Sequence, residues 1–163
     1  MALYVKSPTV YSSKLPDDIT VFLAGGITGC PNWQAEIENK LGNSPYVLFN
    51  PRRDGQFNTL QPEWGVQQIE WEHHHLEKAD YVLFWFPKEG QCMITLFELG
   101  KCLALNKPVV IGCDPGYIRE FDVRTQARLM RPNIPVATSL DELVMNLNVL
   151  IATTETKDIK VDK

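Results

Sequence analysis

The sequence predicts a doubly wound α/β fold, a five-stranded parallel sheet with helices on both faces. Three observations predict it. Short apolar runs alternate with helical patterns five times along the chain. The central run, Tyr81–Phe86, is apolar at every position, as a strand is when both sheet faces are covered. The 163 residues are 44% hydrophobic and 22% charged, enough apolar content to fill the core that such a sheet requires.

Each element has a local cause. Residues 1–18 are polar and turn-rich (Ser7-Pro8, Ser12-Ser13, Leu15-Pro16-Asp17-Asp18) and predict a lead-in arm. Residues 19–152 follow as a single α/β domain. Residues 20–24 (TVFLA) form a buried strand closed by Gly25-Gly26. Asn32 caps a helix over residues 33–41, and Gly42 stops it. Residues 46–49 are a second strand, ended by Asn50-Pro51. After an irregular stretch, residues 66–79 place Val66, Ile69, His73, Leu76 and Ala79 on one helical stripe. Beyond the central strand come a helix over residues 93–105, a strand at 108–111, a helix at 118–130, a strand at 134–137 and a last helix at 140–152. From Thr153 acidic and basic residues alternate with little apolar content, which predicts a polar, frayed tail over residues 153–163. This alternation, joined by right-handed crossovers, is flavodoxin- or Rossmann-like. Ligands of such sheets bind beyond the carboxyl ends of the strands, where the strand order reverses. The segments to inspect are therefore 25–31, 50–56, 87–95 and 112–117.

Composition narrows the ligand. Sixteen basic against twenty acidic residues give a net charge of −4, which argues against a nucleic-acid polymer or an anionic membrane as partner. Small neutral or zwitterionic ligands remain, as does a single phosphate held by backbone amides. No apolar run approaches the ~20 residues of a membrane span. The first twenty residues lack the pattern of a secretory signal, and the expectation is a cytoplasmic protein. Cys30, Cys92, Cys102 and Cys113 form no C-x-x-C pair, which points to reduced thiols rather than a disulfide framework or structural zinc.

Two carboxylates stand out. Glu98 lies one turn into the helix after the central strand, with Ile94, Thr95, Cys102 and Leu105 along its stripe. Desolvation there would raise its pKa and leave the anion poorly hydrated, as a nucleophile or general acid–base group requires. The competing reading has Glu98 facing solvent in the favourable field of the helix amino end. Glu72, three residues after Ile69 and four before Leu76, sits at the edge of the preceding helix's stripe. Glu70 and Glu77 lean to that helix's polar side. Two carboxylates converging on a cleft can divide nucleophile and acid roles. His73, His74 and His75 point about 100° apart on a helix, so they do not chelate one ion together; no metal is expected. Gly25-Gly26-Ile27-Thr28-Gly29 either presents amides to an anion or is a tight turn without a ligand. Trp33, Trp64, Trp71 and Trp85 read as core residues, with Trp64 in a loop. Arg52 and Arg53 follow Asn50-Pro51 at the rim of the same cleft.

In order along the chain stand FLAGGITG, NPRR, WEHHHLEKADYVLFWFP and TLFELGKCLALNKPV. This series resembles the nucleoside 2-deoxyribosyltransferase superfamily, which also contains deoxynucleoside 5′-monophosphate N-glycosidases, over residues 20 to about 112. The resemblance implies that Glu98, in the E-L-G segment, is the nucleophile. It implies that Glu72, eight residues before Asp80 at the opening of the third strand, is the second acid, where the family usually carries Asp. Transferases carry a further acid six residues before the nucleophile and the monophosphate hydrolases carry Ser; here that position is Cys92, matching neither. The glycine loop is more similar to the phosphate-holding loop of the hydrolases. Gly25, Gly26, Ile27, Thr28, Asn50, Arg52 and Cys92 are the expected substrate-binding set. The resemblance implies glycosyl transfer from a nucleoside or nucleotide to a free nucleobase without a cofactor, and a homo-oligomer. A monophosphate hydrolase, a non-catalytic nucleotide sensor and a flavodoxin-like interaction domain are the alternatives.

Overall fold

The structure is a computed structural model and describes residues 1–55 and 62–161. Six strands form one sheet: β1 (Leu3–Lys6), β2 (Ile19–Gly25), β3 (Tyr46–Asn50), β4 (Tyr81–Phe86), β5 (Val109–Cys113) and β6 (Val136–Ala137). Their order is β1-β3-β2-β4-β5-β6, and every neighbouring pair is parallel. Among the described residues four helices connect β2 through β6, α1 (Trp33–Leu41), α2 (Pro62–Lys78), α3 (Met93–Ala104) and α4 (Glu120–Met130), and a fifth, α5 (Leu140–Val161), follows β6. The predicted α/β class and parallel sheet are what the chain adopts.

Alternation along the buried strands sorts the core into two layers. Phe22, Phe49, Phe84, Phe86 and Ile111 point to one face, where Trp71 and Leu76 of α2, Leu99 and Leu103 of α3 and Val123 of α4 cover them. Val21, Leu23, Leu48, Leu83 and Trp85 point to the other, under Trp33 and Ile37 of α1 and Leu143 and Leu147 of α5. The strand order reverses between β2 and β4, whose ends are in register at Gly25 and Trp85. That reversal puts the loops after β2 and β4 side by side.

The sheet has six strands, not five. Residues 3–6 of the expected arm pair with β3 from Leu3↔Val47 to Lys6↔Asn50. This strand escapes a periodicity reading because only Val5 of its four side chains is buried. Backbone hydrogen bonds, not apolar burial, hold such an edge. The polar tail is helical as far as Val161. Its apolar content is low, but the Thr153, Thr154 and Thr156 hydroxyls donate to carbonyls one turn back, so a solvated helix satisfies them. Helix α2 starts at Pro62, a residue suited to a first helical position, and Trp64 is therefore helical and 40% exposed, not a loop core residue. The irregular stretch expected before it lies partly outside the described residues. Among the described residues no helix is long and apolar enough to cross a membrane.

Candidate active site

Helices α2 and α3 both pack on β2 and are joined by the Lys101–Glu77 ion pair, and each carries one of the two predicted carboxylates. The apolar stripe expected on α2 is not its buried face. Val66 and Ile69 are exposed, whereas Gln68, Trp71, His75 and Leu76 face inward. The buried face is polar and aromatic because the N-terminal arm crosses it. The Ser7 hydroxyl donates to Gln68 Oε1 (2.8 Å), the Trp71 indole to Thr9 O (2.6 Å) and the Tyr11 amide to His75 Nε2 (3.1 Å). That amide fixes Nε2 as an acceptor, so the His75 proton sits on Nδ1 and goes to Trp71 O at 2.8 Å. Gln68 is the hub of this network. Its amide nitrogen donates to Pro51 O and to Glu72 Oε1, both at 2.8 Å, and its oxygen accepts from Arg53 Nε at 2.6 Å.

Glu72 is thus held on one oxygen and only partly exposed. Burial raises its pKa, while the Gln68 hydrogen bond and the Arg53 charge oppose the rise. Glu98 is pushed further, to about 8, first by burial and then by the negative charge of Glu72, with Lys101 opposing. Glu98 is half-buried, between the desolvated and the solvent-facing readings. Its stripe is only half as predicted, since Thr95 and Cys102 are buried but Ile94 and Leu105 are exposed. Glu98 therefore stands at the boundary between the core and an uncovered apolar flank. The charge of Glu72 disfavours ionisation of the half-buried Glu98 carboxyl, an arrangement suited to one protonated and one ionised partner, the division of roles that acid–base and nucleophilic chemistry requires.

The remaining predicted residues gather at the carboxyl ends of β2, β3 and β4. Gly25 ends β2, where a side chain would collide with the Trp33 ring and the Trp85 carbonyl. The Gly26 carbonyl accepts from the Trp33 indole at 2.9 Å. Ile27 and Thr28 form the turn closed by the Cys30 amide on Ile27 O (3.2 Å), with Gly29 at φ 71° as that turn demands. Cys92 precedes α3 in the left-handed region, φ 52° and ψ 36°, a conformation that a non-glycine residue seldom holds outside constrained sites.

Asn50 and Arg52 are engaged with the protein itself. Asn50 is buried, donates to Glu38 Oε1 (2.8 Å) and accepts from the Arg52 amide (2.8 Å). The Arg52 guanidinium reaches Gln34 Oε1 (2.9 Å) and the carbonyls of Ile27, Cys30 and Pro31 (3.4, 3.4 and 2.9 Å). It clasps the glycine loop from behind. Arg53, expected at the rim of the cleft, joins this arrangement through Gln68. Gln34 and Gln68 were not singled out in the sequence, and the i, i+4 pair Gln68 and Glu72 was the one signal available for the latter.

Two cavities, of about 300 and 540 Å³, open elsewhere, one beside Leu76, Lys101 and Lys107 and the other beside Lys14, Asp80 and Pro108. Both lie at the amino ends of the strands, opposite the crevice where such sheets bind ligands. The carboxylate pair, not cavity size, locates the site.

The family model described as nucleoside 2-deoxyribosyltransferase like matches residues 18–117, a segment that runs from β2 past β5 and includes both carboxylates. Comparison with curated proteins gives no match.

Proposed function

The chain belongs to the nucleoside 2-deoxyribosyltransferase-like family, and from that membership we propose that it is a nucleoside 2-deoxyribosyltransferase. The observation that carries this reading is the half-buried Glu72–Glu98 pair, with Glu98 raised first by partial burial and then by Glu72's charge. In the proposed reaction Glu98 gives its proton to Glu72 and its carboxylate attacks C1′ of a 2′-deoxynucleoside. The C1′–N bond breaks as Glu72 returns that proton to the departing base. The product is a glutamyl-deoxyribosyl ester. A second base then attacks C1′, its N–H proton passes to Glu72, and Glu98 is released. Metal and organic cofactors have no step in this sequence. Burial of both carboxyls supports transfer over hydrolysis, because an ester in a water-poor site survives until an acceptor arrives. The apolar strand Phe84-Trp85-Phe86 contributes nothing here, since its side chains lie in the two core layers rather than in the crevice.

The second reading is a deoxynucleoside 5′-monophosphate N-glycosidase. The glycine loop favours it, as does a thiol, Cys92, in place of an acid six residues before Glu98. Incubation with a deoxynucleoside and a different free base separates the two. Transfer yields a new deoxynucleoside in proportion to acceptor. Hydrolysis yields free base and deoxyribose 5-phosphate from monophosphates alone. A nucleotide that shifts the melting temperature without being consumed would instead indicate a sensor.

Homo-oligomerisation and a cytoplasmic location belong to the same proposal. Phe97, Ile94 and Met93 on α3 and Phe121 on α4 are each more than 60% exposed, a surface that a second copy would cover. Sedimentation velocity tests this, with a monomer at micromolar concentration as the contrary result.

A further inference from the structure

The loops joined at the strand-order reversal bring two cysteines together that lie far apart in the chain. A Cβ placed on Gly26 would stand 2.8 Å from Cys92 Sγ and 2.9 Å from Cys30 Sγ. The two sulfurs are therefore no further apart than the sum of those distances. Gly90 borders the same pair from the β4 side, with 2.6 Å to Cys30 Sγ and 3.2 Å to Cys92 Sγ. Two glycines without side chains, bordered also by Pro87, bring the two thiols close together, the first requirement of a disulfide, whose specific geometry then demands rotation of both side chains. Cys102 and Cys113, by contrast, are buried in the core.

We infer that Cys30 and Cys92 form an oxidisable dithiol site that a low-molecular-weight disulfide converts to a Cys30–Cys92 bond, closing the candidate active site. Cys30 is the entry thiol. It lies on a turn whose Thr28 and Gly29 are exposed; burial and the Glu89 charge push its thiol pKa up, and the neighbouring Arg52 offsets part of that rise. Cys92, the left-handed residue that opens α3, resolves. In the first exchange the Cys30 thiolate attacks RS–SR, forms Cys30–S–SR and releases one RS⁻. In the second the Cys92 thiolate attacks the Cys30 sulfur, forms the protein disulfide and releases the other RS⁻. The two cysteine protons end on the two released thiols. The protein loses two electrons and the small disulfide gains them. Burial holds the Cys92 thiol up at about 11, so exchange is slow and answers a sustained rather than a fleeting change in redox poise. The bond would tie the loop that Arg52 clasps to the residue opening α3, one turn and a half before Glu98.

The experiment exposes the full chain to oxidised glutathione, quenches it by alkylation in denaturant and maps its peptides without reduction. The expected result is one cross-link, Cys30 to Cys92, with Cys102 and Cys113 alkylated and full reversal by dithiothreitol. Cys92→Ser, lacking the resolving thiol, should instead retain glutathione on Cys30. Alkylation of both Cys30 and Cys92 in the exposed wild type would overturn the site. Closure rests in part on the proposed activity, so it has two readouts. Oxidation should lower transfer about 10²-fold, the cost of misplacing reacting groups, and should slow amide exchange in residues 26–31 and 88–96. A cross-linked chain with unchanged exchange would overturn closure whatever its activity. Should neither the oxidised nor the reduced chain transfer deoxyribose while the map shows the cross-link, the functional reading fails and the dithiol stands.

Discussion

The two faces of the sheet are built by the same strands and differ in what they bury. Under α1 and α5 the layer is apolar except for the neutral amides Gln34 and Asn50, with Leu23, Leu48, Leu83, Leu143 and Leu147 fully buried. Under α2, α3 and α4 the aromatic layer shares its space with buried Gln68, His75 and Thr95 and with the flanking carboxyls of Glu72 and Glu98. Burial of a polar group costs stability unless it is partnered, and burial of an ionisable group makes that cost depend on pH. One face therefore supplies constant stability and the other carries the titratable chemistry.

Replacing Glu98 should break this contrast most deeply. Glu98→Gln, in which the amide has no nucleophilic oxygen to offer, is expected to lower turnover at least ~10³-fold. Its stability should move the opposite way. A carboxyl whose pKa rises from 4.5 to about 8 on folding contributes stability below pH 4.5 and loses it as pH rises through 8. The neutral amide escapes that loss. The variant should melt as the wild type does near pH 4.5 and above it by pH 8, a gap that calorimetry across this range measures. Near-wild-type turnover in the folded variant would remove the proposed mechanism.

The apolar face gives the complementary test. Leu147→Ala should cost about 2–5 kcal/mol in denaturant titrations and leave the pH dependence of transfer unchanged. A shifted pH profile in that variant would show that the two layers are coupled.

A smaller effect is expected at Glu72. Glu72→Gln removes the like charge, so the Glu98 carboxyl should titrate lower, as carbon NMR of labelled glutamate would detect. Burial, the larger cause of the shift, remains, and the value should stay above 4.5. Cleavage of poor leaving bases should slow most. An equal effect on every base would assign Glu72 a positioning role only.

The same contrast explains what was legible in the sequence. Strands such as Tyr81–Phe86 and the layer under α5 follow from apolar pattern, and both were readable. Glu98 was readable as well, through its place after the central strand. The face of α2 was not, because its inward side is made by Gln68, Trp71 and His75, and their partners come from an arm that reads as polar and turn-rich. Ile69 then marked the wrong side of the helix. The thiol pair was hidden for a related reason: Cys30 and Cys92 meet only because the strand order reverses between β2 and β4. Long-range polar partners leave no periodicity.

His75 offers the smallest effect and the cleanest reading of the polar face. It is fully buried, stacks on Trp71 at 4.0 Å between ring centroids and accepts the Tyr11 amide on Nε2. Protonation would replace that acceptor with a donor facing a donor. Burial lowers its pKa below the ordinary 6.5, with His74 and Lys78 adding to the effect and the hydrogen bond to Trp71 opposing it. A histidine with a depressed folded pKa contributes stability above 6.5, and that stability is lost as pH falls from 6.5 through the folded value. The wild type should accordingly lose melting temperature between pH 7 and pH 5, by roughly 2–4 °C for each kcal/mol involved. His75→Gln keeps a donor and an acceptor without a titratable ring, so its melting temperature should be lower at pH 7 and flatter across the same window. Limited proteolysis of residues 1–18 follows the same process directly, since the arm hangs on Tyr11. Cleavage that rises on acidification in the wild type but not in His75→Gln would tie the slope to this hydrogen bond. An unchanged slope in His75→Gln would move the acid sensitivity to the carboxyl side of the same face.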